Sequence, residues 1–299
     1  MNILIEATGS LTSTYLIKAI KESGHKVIGS DIVEFNHSKY LCDDFVIMPK
    51  VKDLNLWEKV EIILKEKAID IVIPSLDETL LEWAERKEYF KNIGVDIILS
   101  PKNTIDTFQD KWKTYIFFTE NNIPTAKTSL SSDLNLIKLR FGRGGTGIFD
   151  NNYIEKLDMV DYISQEKIYG NEYTVDTLFS KDGEPIYIVP RLRIDVKDGK
   201  STKGIVVKNE NIDNLVLEIS RKIKFVGPIN FQLFETKEKE LIMIEINPRV
   251  AGGMALGFAA TENWIKIIIE NIVLNKEIIK VKPINYGMKM FRYYDELFV

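Results

Sequence analysis

Met243-Ile244-Glu245-Ile246-Asn247-Pro248-Arg249, followed by Gly252-Gly253, is an apolar strand pattern broken by a carboxylate and an amide two residues apart. Side chains on a strand alternate between faces, so Glu245 and Asn247 point the same way, and Arg249 continues that row into the loop after Pro248. A partnerless carboxylate in an apolar run is costly to bury. The stretch therefore reads either as the solvated face of an edge strand or as a row of ligands. Phe231 to Glu235 and Leu241 to Ile246 form a hairpin around Thr236 to Glu240, which brings Gln232 to the same face. Such oxygen donors suit Mg2+, which takes carboxylate, amide and phosphate oxygens, and Arg249 beside them suits the charge on a transferring phosphoryl group.

Upstream lies Lys138-Leu139-Arg140-Phe141-Gly142-Arg143-Gly144-Gly145-Thr146-Gly147, with four glycines in six residues. Glycine costs conformational entropy and contributes no side chain to a core. The run suits a hairpin loop whose bare amides lie over phosphate oxygens, with Lys138 and Arg143 adding charge. A flexible surface hairpin is the alternative. No Gly-Lys-Ser/Thr follows at P-loop spacing.

The first hundred residues alternate β-rich runs with amphipathic segments, the pattern of an open parallel sheet with crossover helices. Asn2 to Ala7, His25 to Ser30, Phe45 to Met48, Asp70 to Pro74 and Val95 to Leu99 read as strands. Thr14 to Ser23, Leu56 to Lys67 and Leu80 to Phe90 read as helices, with Gly24 as a left-handed cap. The unit is Rossmann-like. Its first loop, Ala7 to Ser13, has a single glycine, which argues against a dinucleotide even though Asp31 ends the second strand. A phosphate or carboxylate at the helix start and a purely structural turn both remain open. Ser75, Asp77 and Glu78 follow a strand end, where open sheets commonly bind ligands.

A helix from Thr107 to Asn121 contains Asp110-Lys111 and leads into Ile123-Pro124, and Ser164 to Glu172 is a polar strand and turn. From Glu172 onward, apolar runs and polar turns indicate antiparallel strands: Tyr173 to Phe179, Pro185 to Arg193 and Gly204 to Val207. Leu215 to Lys224 and Trp264 to Leu274 are helical. Arg191 and Arg193 share one strand face, either to clamp a carboxylate or acyl phosphate or as solubilising charges.

With 40 basic and 44 acidic residues in 299, nothing in the charge balance calls for nucleic acid or a membrane surface. The one cysteine, Cys42, excludes an internal disulfide framework and reads as a packed thiol in a reducing cytoplasm; His25 and His37 alone make histidine-based zinc or triad chemistry a poor fit. The N-terminus has no signal-peptide pattern, and no apolar run approaches the roughly 20 residues of a bilayer span.

The order Asp110-Lys111, Lys138 with Gly142-Arg143-Gly144-Gly145, Glu166 to Glu172, Gln232, and Glu245-Ile246-Asn247-Pro248-Arg249 resembles the ATP-grasp superfamily, and within it the carbamoyl-phosphate synthetase large-chain-like branch with its small stand-alone members. The resemblance implies an α/β and α+β architecture. A Rossmann-like preATP-grasp domain (1–105) precedes a linker helix and lid subdomain with the glycine-rich loop (106–170), then a C-terminal antiparallel α+β domain with the metal site (171–299). By position it assigns Lys111, Lys138, Gly142, Arg143, Gly144, Gly145, Thr146 and Gly147 to the triphosphate. It assigns Glu166 and Ile168 to adenine, Glu172 to ribose, and counts Lys167 among the ATP-binding residues. Gln232, Glu245 and Asn247 take Mg2+ or Mn2+, and Arg249 with Lys138 serves catalysis.

Arg191, Arg193, Arg249, Gly252 and Gly253 are the candidate substrate contacts. The activity implied is a ligase that uses ATP as co-substrate to make an acyl phosphate from a small carboxylate and transfers it to an amine or similar nucleophile. A carboxylate kinase and a non-catalytic ATP-binding regulator are the rival readings, and a homodimer is compatible with either. The sequence departs from the family at Lys138-Leu139, where a lysine-proline pair is usual, and in the short stretch from Pro124 to Lys138.

Overall fold

Five parallel strands, β1 (Asn2–Ile5), β2 (Lys26–Asp31), β3 (Asp44–Ile47), β4 (Ile71–Ile73) and β5 (Asp96–Ile97), lie in the order β3-β2-β1-β4-β5. The computed structural model describes residues 1–10, 13–142, 147–150, 158–197, 200–293 and 295–299. The crossovers are α1 (Thr14–Glu22), α2 (Ser38–Leu41), α3 (Leu56–Glu66), α4 (Leu80–Glu85) and α5 (Lys87–Asn92). Gly24 closes α1 at φ +80°, a conformation that a side chain disfavours. The single helix expected from Leu80 to Phe90 is two, because Arg86 has ψ 3° and turns the chain while its guanidinium sits 4.5 Å over the Trp57 ring.

The helix expected from Thr107 to Asn121 is likewise two, α6 (Lys102–Gln109) and α7 (Lys111–Glu120). Asp110 between them has an extended backbone and accepts from the Trp112 N–H at 2.9 Å, so it caps α7 instead of continuing α6. Its two carboxylate oxygens also receive Arg140 Nε and Nη2 at 2.8 and 2.7 Å. That pair fixes α7 to a small antiparallel sheet of β6 (Thr128–Ser129), β7 (Leu136–Leu139), β8 (Phe149–Asp150) and β9 (Tyr162–Gln165), ordered β6-β9-β7-β8.

The third sheet is antiparallel throughout: β10 (Asn171–Phe179), β11 (Pro185–Lys197), β12 (Lys200–Val206), β13 (Gly227–Glu235), β14 (Leu241–Asn247) and β15 (Lys289–Phe291), in the order β14-β13-β10-β11-β12-β15. Helix α8 (Glu210–Ser220), capped by Asn209, packs on it, and α9 (Ala255–Ala260) and α10 (Trp264–Ile267) follow β14. The helix expected from Trp264 to Leu274 starts as α10 and loosens into a π-helical stretch, Ile268–Val273. The outer edge of β14 is not bare: the chain at Pro124–Ala126 runs along it, with Met243 N donating to the Pro124 carbonyl at 2.8 Å and Thr125 Oγ1 to the Met243 carbonyl at 3.0 Å.

One apolar core joins the first and third sheets. Ile3, Ile5, Ile71 and Ile73 pack with Leu16, Ile17 and Ile20 of α1 against Val250, Met254, Trp264, Ile265 and Ile268. Two polar contacts reinforce the joint, from Tyr15 Oη to the Ala251 carbonyl at 2.9 Å and from Asn263 Nδ2 to the Ala19 carbonyl at 2.7 Å. The opposite face of the parallel sheet, with Leu4, Ile28 and Val72, has its own core built on α3 and Trp83. Among the described residues, no helix is long and apolar enough to cross a membrane.

Candidate active site

Strands β13 and β14 pair so that Gln232 lies opposite Glu245 and Asn230 opposite Asn247. The strand period puts Glu245 and Asn247 on one face, and Asn247 Nδ2 donates to Glu245 Oε1 at 3.1 Å. Arg249 Nη2 donates to Asn247 Oδ1 at 3.2 Å, and Arg193 Nη1 to Gln232 Oε1 at 3.3 Å. Three oxygen donors carrying one formal negative charge thus converge beside guanidinium groups. Hard oxygen ligands with room for phosphate oxygens are what Mg2+ requires, so Gln232, Glu245 and Asn247 fit the ion.

Arg249 is held by the segment that follows β4. Its Nε and Nη2 reach Asp77 Oδ1 and Oδ2 at 2.6 and 2.7 Å. Burial opposes the Arg249 charge, but Asp77 outweighs it and leaves the guanidinium above its usual pKa. The Asp77 loop is anchored in turn by Glu6, a buried carboxylate that accepts from Ser75 N at 3.1 Å and Trp83 Nε1 at 2.8 Å. Burial pushes the Glu6 carboxyl above the ordinary range, against those hydrogen bonds. The Asp77 position thus supplies an arginine partner, where the sequence suggested only a ligand-binding loop.

The small sheet and the start of α7 each bring a lysine to the site. Lys138 Nζ donates to Gln165 Oε1 at 2.6 Å, and Lys111 Nζ, at the start of α7, donates to the Gly142 carbonyl at 3.0 Å. Burial lowers the Lys138 pKa and Lys111 adds to this, while Glu245 and Glu172 pull it back up. Glu166 N bonds the Lys127 carbonyl at 2.9 Å and its side chain accepts from Lys127 N at 2.6 Å, which ties the turn before β10 to the lid side. Glu172 pairs with Arg193; burial raises its pKa and Arg193 resists the rise.

Arg191 is 1% exposed, with Nε and Nη2 on Asp176 at 2.5 and 2.8 Å, and Asn230 Nδ2 adds a bond to Asp176 at 2.9 Å. Arg193 is largely buried as well, so neither arginine is a solubilising surface charge.

One cavity of about 1200 Å3 is lined by Lys111, Lys138, Gly142, Glu166, Lys167, Ile168 and Glu172 together with Arg191, Arg193, Gln232, Glu245, Asn247, Arg249, Gly252 and Gly253. Gly147 instead packs on Leu139, where a Cβ would come within 2.8 Å of Leu139 Cδ1. Arg143, Gly144, Gly145 and Thr146 lie outside the described residues. Sequence reasoning missed Gln165, Asp176 and Asn230. Asp176 carried the same signal as Glu245, a carboxylate in the apolar run Val175-Asp176-Thr177-Leu178.

Residues 158–293 match the family described as "ATP-grasp in the biosynthetic pathway with Ter operon", and residues 3–98 match the PylC-like N-terminal domain. The carbamoyl phosphate synthase large chain of Clostridium acetobutylicum is 25% identical over 91% of this chain, and that of Buchnera aphidicola 23% over 84%. The chain spans only 28% and 27% of those relatives' lengths.

Among solved structures, the biotin carboxylase domain of Hydrogenobacter thermophilus 2-oxoglutarate carboxylase, in complex with MgADP, ADP and bicarbonate, superposes with a TM-score of 0.74 at 15% identity, over 96% of this chain and 73% of that one. Staphylococcus aureus N5-carboxyaminoimidazole synthetase complexed with ADP gives 0.74 at 16% identity, over 95% and 80%. At such identities the superpositions speak for the fold. The chain thus carries a PylC-like N-terminal domain over residues 3–98 ahead of an ATP-grasp domain matched over residues 158–293.

Proposed function

We propose that this protein is an ATP-dependent ligase that phosphorylates a small carboxylate and transfers the resulting acyl group to an amine or similar nucleophile. The observation that carries the reading is Gln232, paired across the strands with Glu245, together with Asn247, Arg249, Lys111 and Lys138 in the lining of one cavity. In this reading residues 1–105, 106–170 and 171–299 are the working parts, and the nucleotide lies between the last two. Glu166, Lys167 and Ile168 frame the base, Glu172 the ribose, and Lys111, Lys138 and the segment from Gly142 to Gly147 the triphosphate. Gln232, Glu245 and Asn247 hold Mg2+, which supplies charge neutralisation at the phosphates. Arg249, oriented by Asp77, meets the charge that develops on the phosphoryl group in flight.

The relatives' names point the same way: one is a synthase of carbamoyl phosphate, and one fold neighbour was solved with MgADP and bicarbonate. The half-buried Cys42, whose thiol burial pushes up to about 11, is a poor nucleophile and suits a reducing cytoplasm.

The test is an ADP-release screen with Mg2+ over amino acids and small dicarboxylates, each with and without added amines. Release that needs both a carboxylate and an amine supports the ligase. Release with the carboxylate alone would make the protein a carboxylate kinase, and no release with any pair would refute the assignment.

A further inference from the structure

The turn from Val250 to Gly253 forms part of the cavity wall. Its successive carbonyls each receive a donor: Val250 O from Arg249 Nη1 at 3.2 Å, Ala251 O from Tyr15 Oη at 2.9 Å, and Gly252 O from Arg292 Nη2. Gly253 lies against Arg191, where a Cβ would stand 2.8 Å from Nη2. Four donor side chains from separate parts of the chain are thereby gathered at one place, and all four line the cavity.

Charge distinguishes them. Arg249 and Arg191 each form a two-pronged pair with a carboxylate, Asp77 and Asp176. Arg292 forms none among the described residues: Nε donates to the Ser201 carbonyl at 3.1 Å and Nη2 to that of Gly252. Burial draws Arg292 below its ordinary pKa, and nearby Arg191 adds to this against the pull of Tyr15. Arg191 Nη1, on a side chain that is 1% exposed, has no hydrogen-bond partner among the described residues. One uncompensated cation and one orphaned buried donor therefore share a cavity wall. A buried guanidinium without an anion is unfavourable, and a bound anion relieves it.

We infer that Arg292 and Arg191 Nη1, with Tyr15 and the 250–253 turn as scaffold, form a carboxylate subsite that selects the group to be phosphorylated. Arg292 is the specificity-determining member, because it contributes the net charge that the Arg191 and Arg249 pairs do not. The inference rests on the ligase reading for what is bound there. A single uncompensated charge matches a monocarboxylate better than a polyphosphate, whose proposed contacts are Lys111 and Lys138.

The probe is 13C-acetate, titrated in the presence of MgADP into wild type, Arg292→Gln and Arg292→Lys and read by NMR line broadening, with the ADP affinity of each measured alongside. Loss of a charge-assisted pair should weaken acetate binding at least about tenfold in Arg292→Gln, while Arg292→Lys retains part of it and the ADP affinity stays within about twofold in both. Unchanged acetate binding in Arg292→Gln overturns the subsite, as does a parallel loss of ADP affinity in both variants, which would mark a structural role. Failure of wild type to bind acetate, or binding of inorganic phosphate in its place, overturns the carboxylate assignment. Acetate binding that depends on Arg292 in a protein without ADP release would leave the subsite standing and remove the ligase reading.

Discussion

Asp77 and Arg249 stand 172 residues apart in sequence and meet in a two-pronged ion pair at 2.6 and 2.7 Å. The pair is largely buried, with side chains 15% and 10% exposed. It couples the parallel sheet to the strand that carries the proposed metal ligands, so the orientation of Arg249 depends on a residue outside the ATP-grasp domain.

Removing Asp77 should therefore be felt twice. Asp77→Ala leaves a buried guanidinium uncompensated, at about 3 kcal/mol of stability in urea unfolding. Asp77→Asn keeps the shape, and its ADP release should fall about a hundredfold because Arg249 loses its fixed aim. Wild-type turnover in Asp77→Asn would show that the pair is only structural.

Glu245 is the one charged member of the proposed ligand set. Glu245→Gln should raise the Mg2+ concentration needed for half-maximal ADP release at least about tenfold while circular dichroism stays that of wild type. An unaltered Mg2+ dependence would remove Glu245 from the metal site.

Gly257 of α9 lies against the buried Asp176, and a Cβ there would come within 2.8 Å of Oδ2 and 2.9 Å of Cβ. Asp176 is fixed by Arg191 and Asn230 and has little room to retreat. Gly257→Ala should cost about 2 kcal/mol in chemical denaturation, the usual scale of overpacking; a neutral result would mean that α9 can slide.

Asp213 supplies a pH test. Burial, and then Glu210, raise its carboxyl from 3.8 to about 6, against Lys208, and its Oδ1 is buried without a partner among the described residues. A carboxyl raised in the folded state favours the protonated form. Its contribution is fully present below the unfolded pKa near 3.8 and is lost as pH rises through about 6. Relative to Asp213→Asn, wild type should lose about 1 kcal/mol between pH 4 and 7, a figure already reduced for partial exposure. Thermal unfolding of both proteins across that range measures the difference, and parallel profiles would contradict it.

Where function depends on periodicity, the sequence was readable. The alternation from Glu245 to Asn247 placed both on one face and the hairpin placed Gln232 opposite Glu245, as the register shows, while a β-bulge at Ile244 breaks the alternation from Met243. Capping was harder to see: Asp110 reads as one more polar helix residue until Arg140 is found on its carboxylate, and the two helices it separates then follow from its extended backbone. Long-range pairing left no local trace at all. Nothing near Arg249 announces Asp77, nothing near Arg191 announces Asp176, and Arg292 in Met290-Phe291-Arg292-Tyr293 looks like an ordinary charge after a short strand.

The core shared between the first and third sheets has a consequence for how this chain comes into being. Leu16, Ile17 and Ile20 of the first helix are sealed by Val250, Met254, Trp264 and Ile265, so that face of the parallel sheet stays uncovered while the intervening two hundred or so residues are translated. A nascent chain in that condition exposes aliphatic surface and is prone to aggregate, the more so because its closing contacts are so distant in sequence. Emergence of the stretch from Val250 to Ile269, rather than of the residues around the first helix, should be the moment at which protease resistance appears.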